Sequence, residues 1–212
     1  MWKDLPEVWQ TAFSKGWEAF KHGAVPIGAV ITDENGKIIY TGRNHIGEVK
    51  GGNNRIAHAE TDCLLQLDTE KYPKFKEYTL YACMEPCPMC MGTFVMAGLR
   101  TLRVAARDRY CGAVHYINDD PYVNGKNIDA TFELGEKELV QLVLSSYYSL
   151  RINNGVRDKV VEQFVLDCPQ AVAVAETFYR ERVLDAYAER NADFGEVYDG
   201  IIEMNRESKG KV

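Results

Sequence analysis

The feature that most constrains this chain is a set of metal-binding side chains divided between two distant segments. His58-Ala59-Glu60 stands in the first half of the chain, and Cys87-Pro88-Met89-Cys90 follows after a long gap. Together they supply one imidazole, two thiols and one carboxylate. A structural zinc site usually has four protein ligands, whereas a catalytic site has three and leaves the fourth position to water. The pattern therefore predicts one zinc ion held by His58, Cys87 and Cys90, with Glu60 as a separate acid and base.

The role predicted for Glu60 follows from its spacing. It lies two residues beyond His58, from where its carboxylate can reach a water on the metal without itself becoming a ligand. Zinc lowers the pKa of bound water toward ~7. A single carboxylate can take this proton and later deliver it, because its protonation state alternates during a catalytic cycle. The alternative is a structural carboxylate that complements the dipole at a helix N-terminus.

The use of cysteine supports a metal site. An even number of cysteines, six here, can indicate disulfides, but a chain of 212 residues is long enough to bury a core without them. In such a protein Cys-x-x-Cys indicates a metal or redox site, and the upstream His58 and Glu60 favour the metal. The remaining four are predicted to be small, mostly buried side chains: Cys63, Cys83, Cys111 and Cys168.

The signature H-x-E…P-C-x-x-C occurs in zinc-dependent deaminases. On these residues, extended to Glu85 and Pro86, the chain resembles the cytidine/deoxycytidylate deaminase superfamily. It is most similar to the purine-acting branch, which holds guanine deaminases and tRNA adenosine deaminases. Three further segments resemble that branch: Val25–Val30, Gly42–Asn44 and Ala105–Asp108. The resemblance runs over residues 5–150, so the residues beyond 152 lie outside it.

The resemblance implies a three-layer α/β/α fold around a five-stranded mixed sheet, one zinc ion per subunit, and hydrolytic release of ammonia from a small purine-type base or nucleoside. It also implies that the Asn44 amide, which offers both a donor and an acceptor, contacts the base. Guanine deaminases carry an acidic segment after the corresponding strand, and Asn118-Asp119-Asp120 takes a similar place here. Asp119 and Asp120 are therefore predicted substrate contacts that favour a guanine-like base, with a solvated acidic loop as the alternative. By analogy, a homodimer is expected.

Hydrophobic periodicity predicts the elements around the motif. Glu7–His22 is predicted as a helix with Trp9, Phe13, Trp17 and Phe20 near one face. A buried strand over 25–31 leads to an Asn-Gly turn. Further strands are predicted over 37–42, 78–84, 101–106 and 127–134, helices over 56–67, 88–98 and 135–151, and a polar loop that walls the site over 44–55. This alternation of strands and helices indicates an α/β layered fold with a central sheet.

Asn153-Asn154-Gly155 marks a break in the chain. We expect a zinc-dependent deaminase domain over residues 1–152 and a helical C-terminal extension over 153–212. Residues 156–208 predict two or three helical stretches, and the clearest runs from Ala171 to Tyr187, just after Pro169. Two interpretations stay open: a helical layer packed on the core or on a neighbouring subunit, and a lid or wall that selects the substrate.

The charge of the chain bears on its substrate. The formal net charge is −6, whereas proteins that bind RNA usually present a basic face to the phosphates. A small-molecule substrate is therefore favoured over tRNA, which stays the main alternative. A pyrimidine substrate and a zinc-stabilised scaffold without activity are further alternatives. No apolar run approaches the ~20 residues of a membrane span, and no secretory signal is recognised, so a cytoplasmic protein is expected.

Overall fold

The computed structural model describes residues 1–48, 50 and 52–209, except for the side chain of Lys209. Its centre is one five-stranded sheet in the order β2-β1-β3-β4-β5. The strands are β1 (Gly28–Thr32), β2 (Ile38–Arg43), β3 (Thr79–Ala82), β4 (Thr101–Val104) and β5 (Asp129–Phe132). β1 is antiparallel to β2 and β3, whereas β3, β4 and β5 run parallel. The predicted five-stranded mixed sheet is confirmed.

Helices lie on both faces of this sheet. Those in the described part of the chain are α1 (Glu7–Lys21), α2 (Ala59–Leu65), α3 (Pro88–Ala97), α4 (Tyr116–Asp119), α5 (Pro121–Asn124), α6 (Glu136–Ile152), α7 (Lys159–Asp167), α8 (Pro169–Arg180), α9 (Val183–Glu189) and α10 (Phe194–Lys209). None of these helices has the length and apolar character that a bilayer span requires. The elements predicted before residue 153 are all present, with ends shifted by at most three residues. The predicted loop over 44–55 includes residues 49 and 51, which lie outside the described residues.

Alternating side chains of β1 divide the core into two halves, as expected for a strand buried on both faces. Val30 packs into the cluster formed by α1, α6 and the helices after residue 153. Ala29 and Ile31 pack into the opposite cluster, which includes residues of α2 and α3. The molecule is therefore a three-layer α/β/α structure, in agreement with the prediction.

The helix α1 is amphipathic as predicted. Its four large aromatic residues are at most 2% exposed, and they are Trp9, Phe13, Trp17 and Phe20. Full burial of an apolar side chain of this size stabilises the fold by about 1.5–3 kcal/mol relative to exposure. This aromatic stripe makes α1 the anchor for one face of the sheet.

The C-terminal helices, α7 to α10, continue the same core. Phe194 at the start of α10 stacks on Phe13, with ring centroids 5.8 Å apart, and the indole of Trp17 donates a hydrogen bond to the carbonyl of Ala192 at 2.9 Å. The prediction of two or three helical stretches here is wrong, because the structure has four. Arg182 adopts a left-handed conformation (φ 55°), which separates α8 from α9 within the stretch predicted as continuous.

A close approach of α2 to β2 sets the position of the helix that follows His58. A Cβ atom added at Gly42 would lie 2.4 Å from the carbonyl oxygen of Ala59 and 2.6 Å from the backbone nitrogen of Cys63. Both contacts are to backbone, which cannot rotate away as a flexible side chain can. Glycine at position 42 therefore allows the first turn of α2 to lie directly on the sheet.

We predict that Gly42→Ala pushes α2 away from β2, destabilises the fold by about 1–3 kcal/mol through overpacking, and lowers the zinc content. Urea unfolding and metal analysis of the purified protein measure these two effects. Gly92→Ala is the matched control, because a Cβ at this exposed position of α3 meets no atom within 4 Å. Equal stability and zinc content in the two variants would contradict the steric argument.

Candidate active site

The two halves of the split motif meet at the N-terminal ends of two helices. His58 is the N-cap residue of α2, and Cys87 is the N-cap residue of α3. Cys90 follows within the first turn of α3. The N-terminus of a helix carries partial positive charge, and this charge favours the thiolate form of a nearby cysteine. The local structure thus presents an imidazole and two thiols at one place.

The distances within this group fit a zinc ion. His58 Nδ1 lies 3.7 Å from Cys87 Sγ and 3.4 Å from Cys90 Sγ, and the two sulfur atoms are 3.6 Å apart. Tetrahedral zinc with Zn–S of about 2.3 Å and Zn–N of about 2.0–2.1 Å requires ligand atoms about 3.4–3.8 Å apart. Within the described residues, no fourth His, Cys, Asp or Glu belongs to the group. Such a three-ligand zinc site leaves one position for water.

The surroundings of Cys87 favour the form of its side chain that binds a metal ion. Its pKa is lowered to about 4, first by the hydrogen bond from Cys90 and also by His58, although burial opposes the shift. Metal ions bind the thiolate rather than the thiol. The arrangement therefore holds Cys87 in its ligating form at neutral pH.

Glu60 lies in the first turn of α2 and is only 3% exposed. Burial raises the pKa of its carboxyl group, and both His58 and Cys90 lie close enough to influence it. A buried acid whose pKa is raised toward neutrality can exchange protons with a bound substrate. The carboxylate is thus placed beside the ligand set but outside it.

Asn44 follows the last residue of β2 and is 1% exposed. Its backbone N–H donates to the carbonyl of Ile27 at 3.0 Å, and its side-chain Oδ1 accepts from the N–H of Ile46 at 2.9 Å. Among the described residues, the Asn44 Nδ2 group makes no hydrogen bond. The amide is therefore held by its oxygen end, and its donor end has no acceptor within the described part of the chain.

His45 connects this segment to the zinc site. Its N–H donates to the carbonyl of Ala57, which directly precedes His58, at 2.9 Å. Its ring Nε2 lies 3.2 Å from Asp62 Oδ2 on α2. The end of β2 and the start of α2 are thereby tied together.

Sequence reasoning assigned no role to Glu85, which lies two residues before Cys87 and contacts the loop after β4. Its carboxylate accepts hydrogen bonds from the N–H groups of Asp108 and Val114, both at 3.1 Å. A Cβ at Gly112 would lie 2.3 Å from the Glu85 carboxyl carbon, so the loop after β4 wraps closely around this side chain. The signal in the sequence is an acidic residue that directly follows an otherwise apolar strand segment.

Two predicted substrate contacts lie farther along the chain. Asp119 and Asp120 are exposed, at the junction between α4 and α5. The carboxylate of Asp120 accepts from the N–H groups of Tyr122 and Val123 and so caps α5. One carboxylate oxygen of Asp120 is therefore already used within the protein, whereas Asp119 is solvated. Their contact with a substrate stays a prediction.

The four remaining cysteines are not all alike. Cys63, Cys83 and Cys168 are buried as predicted, whereas Cys111 is exposed, which corrects the prediction for that residue. Its thiol donates to Asp108 Oδ2 at 3.0 Å. Desolvation raises the pKa of Cys111, and the negative charges of Asp108, Cys87 and Glu60 add to this. Cys111 therefore lies within the range of the charges at the zinc site.

Comparisons with known proteins agree with this geometry. The family model of the cytidine and deoxycytidylate deaminase zinc-binding region matches residues 3–106, which include both halves of the motif. The tRNA-specific adenosine deaminase of Aquifex aeolicus is 30% identical over 149 residues, which cover 68% of this chain and 94% of that protein.

Solved structures share the architecture. One, from a study of A-to-I editing by tRNA:A34 deaminases, aligns with a TM-score of 0.50 and 25% identity and covers 58% of this chain and 96% of its own. Guanine deaminase from Nitrosomonas europaea aligns with a TM-score of 0.51 at 22% identity, over 68% of this chain and 84% of its own, and shows the common fold. By its sequence, its fold and its ligand set, the chain belongs to the cytidine and deoxycytidylate deaminase family, whose members are zinc-dependent hydrolytic deaminases.

Proposed function

We propose that this chain deaminates a small purine-type base or nucleoside, with a guanine- or guanosine-like compound favoured as substrate. The observation that carries the proposal is the buried carboxylate of Glu60, two residues from His58 and beside Cys90. In the reaction, water adds to the ring carbon that bears the amine, the C–N bond breaks, and ammonia leaves as a carbonyl forms.

His58, Cys87 and Cys90 would hold the zinc ion, which when bound acidifies a water and makes it nucleophilic. Glu60 would accept the proton of the attacking water and pass it to a ring nitrogen of the base. It would then move the second proton to the departing amine, so that the carboxylate returns to its starting state. Burial of Glu60 keeps bulk water from competing for these protons.

Asn44 would orient the base. Its Oδ1 is used by the N–H of Ile46, so the Nδ2 group is the part that faces a ligand. An N–H donor of this kind pairs with a ring nitrogen or carbonyl acceptor of a purine. A carboxylate from Asp119 or Asp120 would add an acceptor for ring N–H and exocyclic amine donors, which guanine has.

The charge distribution supports a small substrate. Residues 153–212 contain twelve acidic and eight basic side chains, so they account for four of the six excess negative charges. The C-terminal helices pack on the core beside α6, and their acidic surface repels phosphates. Phosphate contacts supply most of the affinity of RNA-binding proteins, so a polynucleotide would bind weakly here.

A second candidate function is deamination of adenosine in tRNA. It is favoured by the relative from Aquifex aeolicus, which is a tRNA-specific adenosine deaminase and which the chain covers almost completely. The zinc chemistry would be the same for both candidates, so only the substrate distinguishes them.

We also propose that two copies of this chain form a homodimer through the exposed side of α2 and α3. Three large apolar side chains are solvent-exposed there: Ile56 at 54%, Leu65 at 83% and Met96 at 73%. A cavity of about 470 Å³ lies in the same region, lined by Ile56, Leu65 and Met89 among others. Ile56 and Leu65 share this cavity, and grouped exposed apolar side chains are typical of an interaction site.

A reducing compartment suits this chain, and we propose the cytoplasm as its location. None of the six cysteines, which all lie within the described residues, forms a disulfide, although Cys87 and Cys90 lie 3.6 Å apart. Oxidation of this pair would destroy the zinc site, and cytosolic reductants prevent it.

We predict that Glu60→Gln lowers kcat for ammonia release by about 10²–10⁴-fold, the usual contribution of a positioned acid and base, while zinc content is unchanged. Ammonia release and metal analysis on the same samples measure both quantities. Glu70→Gln, at an exposed carboxylate, is the control and should keep full activity. Full activity of Glu60→Gln would refute the assigned mechanism.

We predict that ammonia is released from a purine in a panel of guanine, guanosine, adenine, adenosine, cytosine and cytidine, and that chelation of zinc abolishes this release. Glu60→Gln serves as the blank. No turnover of the panel by zinc-loaded protein, together with inosine formation in tRNA, would replace the leading proposal by the second candidate. Ammonia release from cytosine or cytidine alone would indicate that the enzyme acts on pyrimidines.

We predict that Leu65→Lys converts the dimer to monomer, because a charge would be buried at the centre of the proposed interface. Light scattering coupled to size exclusion measures the mass. Leu166→Lys on α7, where the leucine is 64% exposed, is the matched control and should stay dimeric. A monomeric native protein would contradict the proposal.

A further inference from the structure

A second cavity, of about 220 Å³, lies between the core and the C-terminal helices. One wall belongs to the deaminase core and is formed by Val25, Ile27, Met84 and Asp108. The opposite wall belongs to α6, to the turn after it and to α7, and is formed by Ser145, Tyr148, Ser149, Ile152, Asp158, Val160 and Phe164. The C-terminal helices therefore complete a cavity that the core alone leaves open.

This cavity adjoins the site described above. The carbonyl of Ile27 accepts the backbone N–H of Asn44 at 3.0 Å. Met84 directly precedes Glu85, whose carboxylate accepts the N–H of Asp108 at 3.1 Å. Asp108 in turn accepts the thiol hydrogen of Cys111, and the N–H of Ala113 on the same loop donates to the carbonyl of Pro86, next to Cys87, at 2.9 Å. A base held between Asn44 and the zinc site would therefore have this cavity beside it.

The lining of the cavity suits a neutral, hydroxylated group. Ile27, Met84 and Phe164 provide an apolar surface. The hydroxyl of Tyr148 donates to the carbonyl of Gly23 at 3.5 Å and keeps its acceptor capacity. One oxygen of Asp108 receives a hydrogen only from the Cys111 thiol, a weak donor, so a substrate hydroxyl can take its place. A sugar ring combines these features, with C–H groups on its faces and hydroxyls at its edge.

The same lining opposes phosphate. Two carboxylates, Asp108 and Asp158, line the cavity, and the described residues of its lining include no lysine or arginine. The nearest cations on the loop after β4 are already paired. Arg107 bonds Glu138 at 2.8 Å, and Arg109 bonds Asp167 at 2.7 Å. An anionic group in the cavity would meet like charge without a counter-ion.

The outer wall is held in place. Asp158 caps α7 by accepting from the N–H groups of Val160 and Val161, and it also accepts from the Ser149 hydroxyl of α6. At the other end of α7, the Asp167 side chain is 1% exposed and pairs with Arg109. Helix α7 is thus fixed to α6 and to the loop that carries Asp108. The cavity volume equals about seven waters at ~30 Å³ each, which matches one sugar rather than a nucleotide chain.

We propose that this cavity binds the ribose of a purine nucleoside, so that the enzyme uses nucleosides in preference to free bases and to phosphate-bearing nucleotides. The proposal rests on the function proposed above and specifies its substrate class. Val160 is the residue to test, because it is half-buried on α7 and faces the cavity.

In the experiment, kcat and KM are measured for guanine, guanosine and guanosine 5′-monophosphate, and for the corresponding adenine compounds, with the native enzyme and with Val160→Phe. The larger side chain fills the cavity. We expect native kcat/KM to be highest for the nucleoside, and Val160→Phe to raise KM for the nucleoside about tenfold, the equivalent of ~1.4 kcal/mol. Turnover of the free base should be unchanged.

Leu166→Phe is the matched control, on the same helix but outside the cavity and 64% exposed. Ile152→Phe, at a cavity-lining position that is 58% exposed, provides a second filling variant if Val160→Phe does not fold. Equal or better use of the free base by the native enzyme would overturn the proposal, as would an equal effect of the filling variants on base and nucleoside. Both results are compatible with the proposed deaminase function. If the zinc-loaded native enzyme releases no ammonia from any purine, the proposed function and this inference are both wrong.

Discussion

The site depends on one constraint: the N-termini of two helices must meet at the same edge of the sheet. The helix α3 joins two neighbouring parallel strands, β3 and β4, and such a crossover places the start of the helix at the carboxyl end of the first strand. This connectivity brings Cys87 and Cys90 to that edge. His58 reaches the same edge only because α2 lies flat on β2, where Gly42 leaves room for its first turn.

A second set of interactions shapes the surroundings of the metal ligands. Glu85 lies two residues before Cys87 and holds the loop after β4 through the N–H groups of Asp108 and Val114. The same loop is fixed from the other side by the ion pair between Arg109 and Asp167. A loop that borders the reaction centre is therefore positioned jointly by the strand that carries the zinc motif and by a helix outside the family's matched region.

The charges at the zinc site and the charges around it favour different ligands. At the zinc site, helix N-termini and hydrogen bonds favour the Cys87 thiolate, which is what a cation requires. Around it, the carboxylates of Asp108 and Asp158 and the acidic C-terminal helices create a negative surrounding. A neutral substrate approaches through this negative region without electrostatic repulsion, whereas a polyanion is repelled. The acidic composition of the chain therefore supports the proposed neutral substrate over a polynucleotide.

The sequence by itself determined the ligand set, because only His58, Cys87 and Cys90 have the residue types and spacing of a three-ligand zinc site. It also determined α1, because apolar residues such as Trp9 and Phe13 recur with the period of a helix. The order of the strands and of the longer helices before residue 153 was likewise readable, since each of them carries its own hydrophobic period. The short helices α4 and α5 were not predicted. Tertiary structure alone decided the role of Glu85, the exposure of Cys111, the break of the C-terminal helices at Arg182 and the cavity between α6 and α7. These features arise from contacts between residues far apart in the chain, which no local period records, and the roles of Asn44, Asp119 and Asp120 depend on contacts of the same kind with a substrate.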